Sequence, residues 1–158
     1  MLELKQHLMA SKQRTIAKPI SLKGLGLHTG KKVELTFQPA SENHGIIFQR
    51  TDLPEKIRIE AHVNNVIDTS RSTVLGKNNI RVGTVEHVLS AISGLGIDNV
   101  LIEISGEEIP ILDGSSKIFV NVLLEAGLVD QDADKNIFTL TENISYYDEK
   151  KGIKYKNT

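Results

Sequence analysis

The chain has 158 residues, 39% hydrophobic, 25% charged and 4% aromatic, the balance of a folded globular protein that buries about 68–70% of its unfolded surface. Nineteen basic against twenty acidic side chains leave a net charge of -1, without the field that draws a protein to nucleic acid or an anionic membrane. The absence of cysteine excludes a disulfide framework, a thiolate nucleophile and any Cys-ligated metal.

The opening residues MLELKQHLMASKQR are too polar for a signal-peptide core, and no window approaches the roughly 18 apolar residues of a membrane span. They read as a flexible extension over residues 1–12 of a cytoplasmic protein. From residue 14 to residue 82 short β-like runs alternate with turn residues. Val33, Leu35 and Phe37 alternate with polar neighbours until Pro39, the pattern of a half-buried strand. Residues 45–50 and 57–63 read in the same way. Residues 72–75 and 79–82 flank Gly76-Lys77-Asn78, a candidate hairpin turn.

At Thr84 the period changes. Val85, Val88, Leu89, Ile92 and Leu95 are spaced by three or four, with Thr84 as N-cap and Gly94 and Gly96 as stop signals. Residues 99–104 form a nearly continuous apolar run, predicting a strand covered on both faces. Residues 107–114 read as a loop. Ser115 or Ser116 caps a second helix with apolar positions Ile118, Phe119, Val122, Leu123 and Leu128, stopped near Gly127. Residues 130–136 are uniformly polar and read as a linker. Residues 137–146 and 152–155 resemble a fresh hairpin with no helix after it.

The glycine-rich segment Gly24-Leu25-Gly26-Leu27-His28-Thr29-Gly30-Lys31-Lys32 fails both nucleotide-loop patterns. A Walker A loop needs four residues between its glycines and a hydroxyl after the lysine; a dinucleotide loop needs glycine where Thr29 stands. Two readings stay open: a tight connection between strands, or a bend that projects His28 into a cleft.

The segment Thr84-Val85-Glu86-His87 carries the strongest chemical signal. At about 100° per residue, Val85, Val88, Leu89 and Ile92 share the core face, while Glu86, His87 and Ser90 lie on the other. The positive end of the helix favours a carboxylate and a neutral imidazole there. A neutral imidazole binds metal, and a carboxylate beside the metal can take a proton from water. A glutamate at a helix start and a solvated histidine are also ordinary occupants of such positions. None of His7, His28, His44 and His62 is spaced four from His87, so a His-Glu-x-x-His zinc motif is absent.

Taken together, Gln13-Arg14-Thr15-Ile16, the segment from Gly24 to Lys31, Arg50-Thr51-Asp52-Leu53, Thr84-Val85-Glu86-His87, Gly94-Leu95-Gly96-Ile97-Asp98-Asn99 and Glu108-Ile109-Pro110-Ile111-Leu112-Asp113-Gly114-Ser115 resemble the UDP-3-O-acyl-N-acetylglucosamine deacetylase family. Its enzymes perform the committed step of lipid A biosynthesis in Gram-negative bacteria. The resemblance implies an α+β fold, a two-layer sandwich of a mainly antiparallel sheet packed on two helices (ribosomal protein S5 domain 2-like), followed by the start of a second similar domain. Residues 13–129 would be domain I, 130–136 the linker and 137–158 the first hairpin of domain II.

The resemblance also implies a zinc hydrolase with its active site between the two domains. His87 would be a zinc ligand and Glu86 the general base for the attacking water. His28 and Ser72 would line the cleft for the UDP-3-O-acyl-N-acetylglucosamine substrate, and the products would be acetate and a free 2-amino sugar nucleotide. Within Asp68-Thr69-Ser70-Arg71-Ser72-Thr73, Arg71 stands where the family pattern leads one to expect an apolar residue. The remaining zinc ligands, a His and an Asp on one helix, would belong to domain II. The expectation is thus the N-terminal part of such an enzyme, truncated and inactive alone. Some family members continue into a fused acyl-carrier-protein dehydratase. The alternative, from another class, is a non-catalytic α+β binding or scaffold module.

Overall fold

Alternation along the sequence becomes rows of side chains across a sheet. In a computed structural model, which describes residues 12–137 and 140–156, the chain forms twelve strands and two α-helices among the described residues. Five strands make the main sheet: β2 (Ile20–Leu25), β3 (Lys32–Pro39), β4 (Ile46–Arg50), β5 (Arg58–Glu60) and β9 (Val100–Ile104). Their order is β2-β3-β9-β4-β5, and every neighbour pair is antiparallel except β4 with β9. Phe37, Ile102, Phe48 and Ile59 lie directly opposite one another across four of these strands. All four are fully buried. Burial of this row supplies the non-local hydrophobic free energy that fixes register, because a one-residue slip would turn a side chain of this row outward on the slipped strand.

The buried face is covered by α1 (Glu86–Gly94) and α2 (Lys117–Ala126). Val85, Val88, Ala91 and Ile92 from around α1 join Phe119, Leu123 and Ala126 of α2 in a single core with the sheet. The architecture is α+β with mostly antiparallel strands and two helices, as the sequence predicts. The 3–4 spacing places the α1 stripe inward, while Glu86 and His87 are half-buried and Ser90 is exposed.

Several local expectations differ from the structure. Thr84 is not a side-chain cap: α1 has no side-chain cap hydrogen bond, and Thr84 is buried in the left-handed region at φ 59°. Its hydroxyl is committed elsewhere, as described below. Strand β9 is not covered on both faces, since Leu101 and Glu103 are only half-buried; its apolar run reflects a central position with one face on the core. The strand predicted over residues 57–63 is confined to β5 and gives way to a 3-10 turn, Val63–Asn65, where His62 Nδ1 accepts the Asn64 amide at 3.2 Å.

The second sheet is a meander of β6 (Val66–Asp68), β7 (Val74–Lys77) and β8 (Ile80–Val82). The β7–β8 turn lies at Asn78 and Asn79, with φ 51° and 62°, two residues beyond Gly76. Two consecutive positive φ values make the turn type that matches strand twist, and asparagine tolerates them.

The predicted linker is instead strand β10 (Leu128–Asp134), antiparallel to β1 (Lys12–Ile16). Its polarity comes from cross-strand charge pairing, Lys12 with Asp134 and Arg14 with Asp130, each at 2.8 Å. The predicted extension, residues 1–12, lies outside the described residues apart from Lys12. A final hairpin joins β11 (Ser145–Asp148) to β12 (Ile153–Lys156). It starts later than the run predicted from residue 137, and residues 138, 139, 157 and 158 of that expectation lie outside the described residues.

Candidate active site

Strands β2 and β3 form a hairpin whose connection is the glycine-rich segment. It closes on itself through the Gly26 amide to the Lys31 carbonyl at 3.0 Å and the Gly30 amide to the Gly26 carbonyl at 3.1 Å, with Gly30 at φ 63°. The connection reading and the projecting-bend reading are both realised: the turn is tight, and His28 at its tip is exposed on the wall of a cleft.

This cleft, of about 360 Å³, is lined by His28, Ser72, Arg71, Thr84 and Glu108 among others. A more open hollow of about 540 Å³ against β2 and β3 is lined by none of His28, Ser72, Glu86 and His87. The segment before β7 ties the cleft to α1. Thr73 donates its amide to Glu86 Oε2 at 3.0 Å, and its carbonyl accepts the Val85 amide at 3.2 Å. Ser72 is thereby held one residue from the group that fixes the Glu86 carboxylate. Glu86 Oε1 has no hydrogen-bond partner among the described residues, and neither has the half-buried His87 side chain. Arg71, the departure from the family pattern, lies exposed on the cleft wall.

The structure thus brings His28 and Ser72 to one cleft and ties Glu86 to its edge; neither Glu86 nor His87 is among the residues lining it. For a metal, His87 offers one imidazole donor of the right kind beside an acidic neighbour. Among the described residues no three His, Asp or Glu side chains converge as a metal-holding group.

Sequence reasoning missed Glu108 as a site residue. It is 4% exposed, yet its carboxylate accepts the His28 amide at 2.9 Å, the Thr29 amide at 2.8 Å and the Thr84 hydroxyl at 3.1 Å. Burial alone would raise its pKa, but the hydrogen bonds from His28, Thr29 and Thr84 outweigh that effect and hold the carboxyl below its ordinary value. Gly26 makes room for it, since a Cβ there would collide with the Thr29 hydroxyl and the Glu108 carboxylate.

A second buried charge braces the other side. Arg50 forms a bidentate pair with Asp52, 2.7 and 2.6 Å, and donates to the Arg81 carbonyl at 3.0 Å. The guanidinium holds the Asp52 carboxyl below the usual range. Arg81 and Lys31 both approach Glu107, at 3.5 and 3.4 Å. The Arg-Thr-Asp-Leu motif is therefore a bracket for β8 and the residues leading into the cleft.

The arrangement agrees with what the chain is similar to. A family model described as UDP-3-O-acyl N-acetylglycosamine deacetylase matches residues 13–157. A UDP-3-O-acyl-N-acetylglucosamine deacetylase of Myxococcus xanthus is 46% identical over 136 residues, covering 86% of this chain and 43% of the relative. One from Teredinibacter turnerae is 46% identical over 140 residues, 89% of this chain and 46% of the relative. A bifunctional enzyme LpxC/FabZ of Chlorobaculum tepidum is 46% identical over 141 residues, 89% of this chain and 30% of the relative, in keeping with the fusion expected for some members. The chain spans less than half the length of these curated relatives. With the match running from the first described strand through the final hairpin, the chain belongs to the UDP-3-O-acyl N-acetylglycosamine deacetylase family.

Proposed function

We propose that this chain supplies the general base, one zinc ligand and part of the substrate cleft of a zinc-dependent UDP-3-O-acyl-N-acetylglucosamine deacetylase of the cytoplasm, acting in lipid A biosynthesis. The observation that carries the proposal is the state of Glu86. One carboxylate oxygen is fixed by the Thr73 amide, and the other remains available on the edge of the cleft that holds His28 and Ser72. A carboxylate held this way keeps its orientation while Oε1 takes a proton from a water attacking the N-acetyl carbonyl carbon. The new C–O bond forms, the C–N bond breaks as the nitrogen gains a proton, and acetate and the 2-amino sugar nucleotide leave.

His87 follows Glu86 in the first turn of α1 and would hold zinc; the bound ion would supply Lewis-acid polarisation of the carbonyl. The coordination would be completed by a His and an Asp of a second domain, so this chain alone would be inactive. His28 and Ser72 would orient the sugar nucleotide.

The experiment is a zinc titration of the 158-residue chain with His87→Ala as control, followed by acetate-release assays with the second domain present. Weak binding to the chain and restored binding with that domain are expected. Tight one-to-one binding to the chain alone, lost in His87→Ala, would overturn the shared site. In the two-domain enzyme Glu86→Ala should lower turnover on the order of 100- to 10,000-fold with zinc content retained; equal loss of zinc and activity would remove Glu86 as the base.

A further inference from the structure

The proposed reaction requires the loop carrying His28 and the helix start carrying Glu86 and His87 to keep a fixed relation, although they are far apart in sequence. One side chain joins them. Glu108 Oε1 receives the His28 amide and the Thr84 hydroxyl, and Oε2 receives the Thr29 amide at 2.8 Å and the His28 amide again at 3.2 Å. The backbone around it completes the join. The Gly83 amide donates to the Glu107 carbonyl at 2.9 Å, the Ile109 amide to the Gly83 carbonyl at 3.0 Å, and Gly26 bridges to Pro110.

Two features separate this from ordinary core stabilisation. A buried charge is seldom the most stabilising choice for a core position, because desolvation offsets much of what its partners return. And Thr84, whose hydroxyl it receives, is a β-branched residue in the left-handed region immediately before the catalytic helix start, a conformation that persists only where surroundings hold it. Oε1 reaches both segments, and Oε2 adds a second hold on the loop through the Thr29 amide. A glutamine in the same space would present one oxygen and one N–H2 group, so its amide would oppose the donors on one side.

We propose that Glu108 is a positioning residue that locks the His28 loop to residues 84–87 and so sets where His28 stands relative to Glu86 and His87. The role rests on the deacetylase reading above for its purpose, but its geometry is testable without activity.

The test is Glu108→Gln in the isotopically labelled 158-residue chain, read by NMR. Amide exchange at His28 and Thr29 should accelerate about tenfold or more as charge-assisted bonds are lost. The imidazole signals of His28 and His87 should shift together, while those of His44 and His62 stay in place. Thr84→Ser keeps the hydroxyl and should match the parent chain; Thr84→Val should move the His87 signal. In the enzyme with its second domain, Glu108→Gln should lower turnover about 10- to 100-fold, the range for groups that orient metal ligands, with zinc retained.

If Glu108→Gln only lowers the melting temperature and leaves those signals and turnover unchanged, Glu108 is a stabilising ion and the proposal is wrong. Should that variant fail to fold, Thr84→Val decides: an unmoved His87 signal overturns it. Coupled His28 and His87 shifts in this chain, with no acetate released even when the second domain is present, would sink the deacetylase reading and leave the lock standing.

Discussion

The two ends of α1 are built on opposite principles. At its C-terminus the chain makes its own cap: Gly96, at φ 65°, lets its amide reach the Ser93 carbonyl and lets the Ile97 amide reach that of Ile92, a glycine-terminated cap, while the Leu95 and Gly96 carbonyls accept from Arg14 and Lys135. The next residues then dock β1, since the Asp98 and Asn99 amides both donate to the Arg14 carbonyl, and Asn99 spends its side chain on Gly45, Gln13 and Gln131. At the N-terminus α1 has no side-chain cap hydrogen bond; the Val85 amide goes to the Thr73 carbonyl, and Thr84, in the left-handed region, has its hydroxyl held by Glu108 from a distant loop. The first end carries its own cap. The second is held from outside, and among the described residues Glu86 Oε1 and the His87 imidazole have no hydrogen-bond partner beside the Thr73 bond to Oε2.

The contrast is broken most severely by Glu108→Leu. It leaves two amides and a buried hydroxyl without an acceptor, at a cost on the order of 3 kcal/mol. A drop in the urea midpoint without change in slope would show it; a loss under about 0.5 kcal/mol would mean that solvent replaces the carboxylate and the N-terminal end is not externally held.

Acid probes the same group. The folded-state pKa of Glu108 lies below the ordinary 4.5, so the unfolded chain binds more protons near that pH. Its contribution is fully present above pH 4.5 and disappears as pH falls from there through the lower folded value. Asp52, depressed by Arg50, adds to the loss over a neighbouring range. The stability-versus-pH slope below 4.5 should therefore be shallower in Glu108→Leu than in the parent, and identical slopes would show that Glu108 does not titrate differently on folding.

At the other end, Gly96→Ala forces an L side chain into a left-handed conformation and should cost about 1–2 kcal/mol, measured as a melting-temperature shift. The cleft should be unaffected, so cleft histidine NMR signals that moved with it would contradict the separation of the two ends.

How much of this was legible in the sequence follows the range of the forces involved. The core stripe of α1, its glycine stop and the alternation of β3 are consequences of local periodicity, and they stand. Glu86 and His87 were placed by the same periodicity on the polar side of the helix. Glu108 opens a segment that carries the family resemblance, but its role is not legible there because its partners are brought together only by tertiary folding. The β7–β8 turn was misplaced because Gly76 looked like turn chemistry. Its real constraint is packing, since a Cβ there would come within 3.1 Å of Ile67 Cγ1 and Cγ2. Strand β10 was hidden because its stabilising partners are charges on β1 rather than apolar neighbours.

That last point yields the smallest expected effect. Asp130 accepts the Arg14 guanidinium at 2.8 Å, but its side chain is 62% exposed, so solvent and salt screen most of the attraction. Asp130→Ala should cost less than about 1 kcal/mol, and the difference from the parent should shrink further between low and high salt. Arg14 retains the Leu95 carbonyl at 3.0 Å, and its backbone remains bound to Asp98 and Asn99; the C-terminal end of α1 therefore keeps its anchor after the pair is gone. A loss as large as that of Glu108→Leu, insensitive to salt, would mean that the β1–β10 pairing depends on this ion pair, and that both ends of the helix are held from outside.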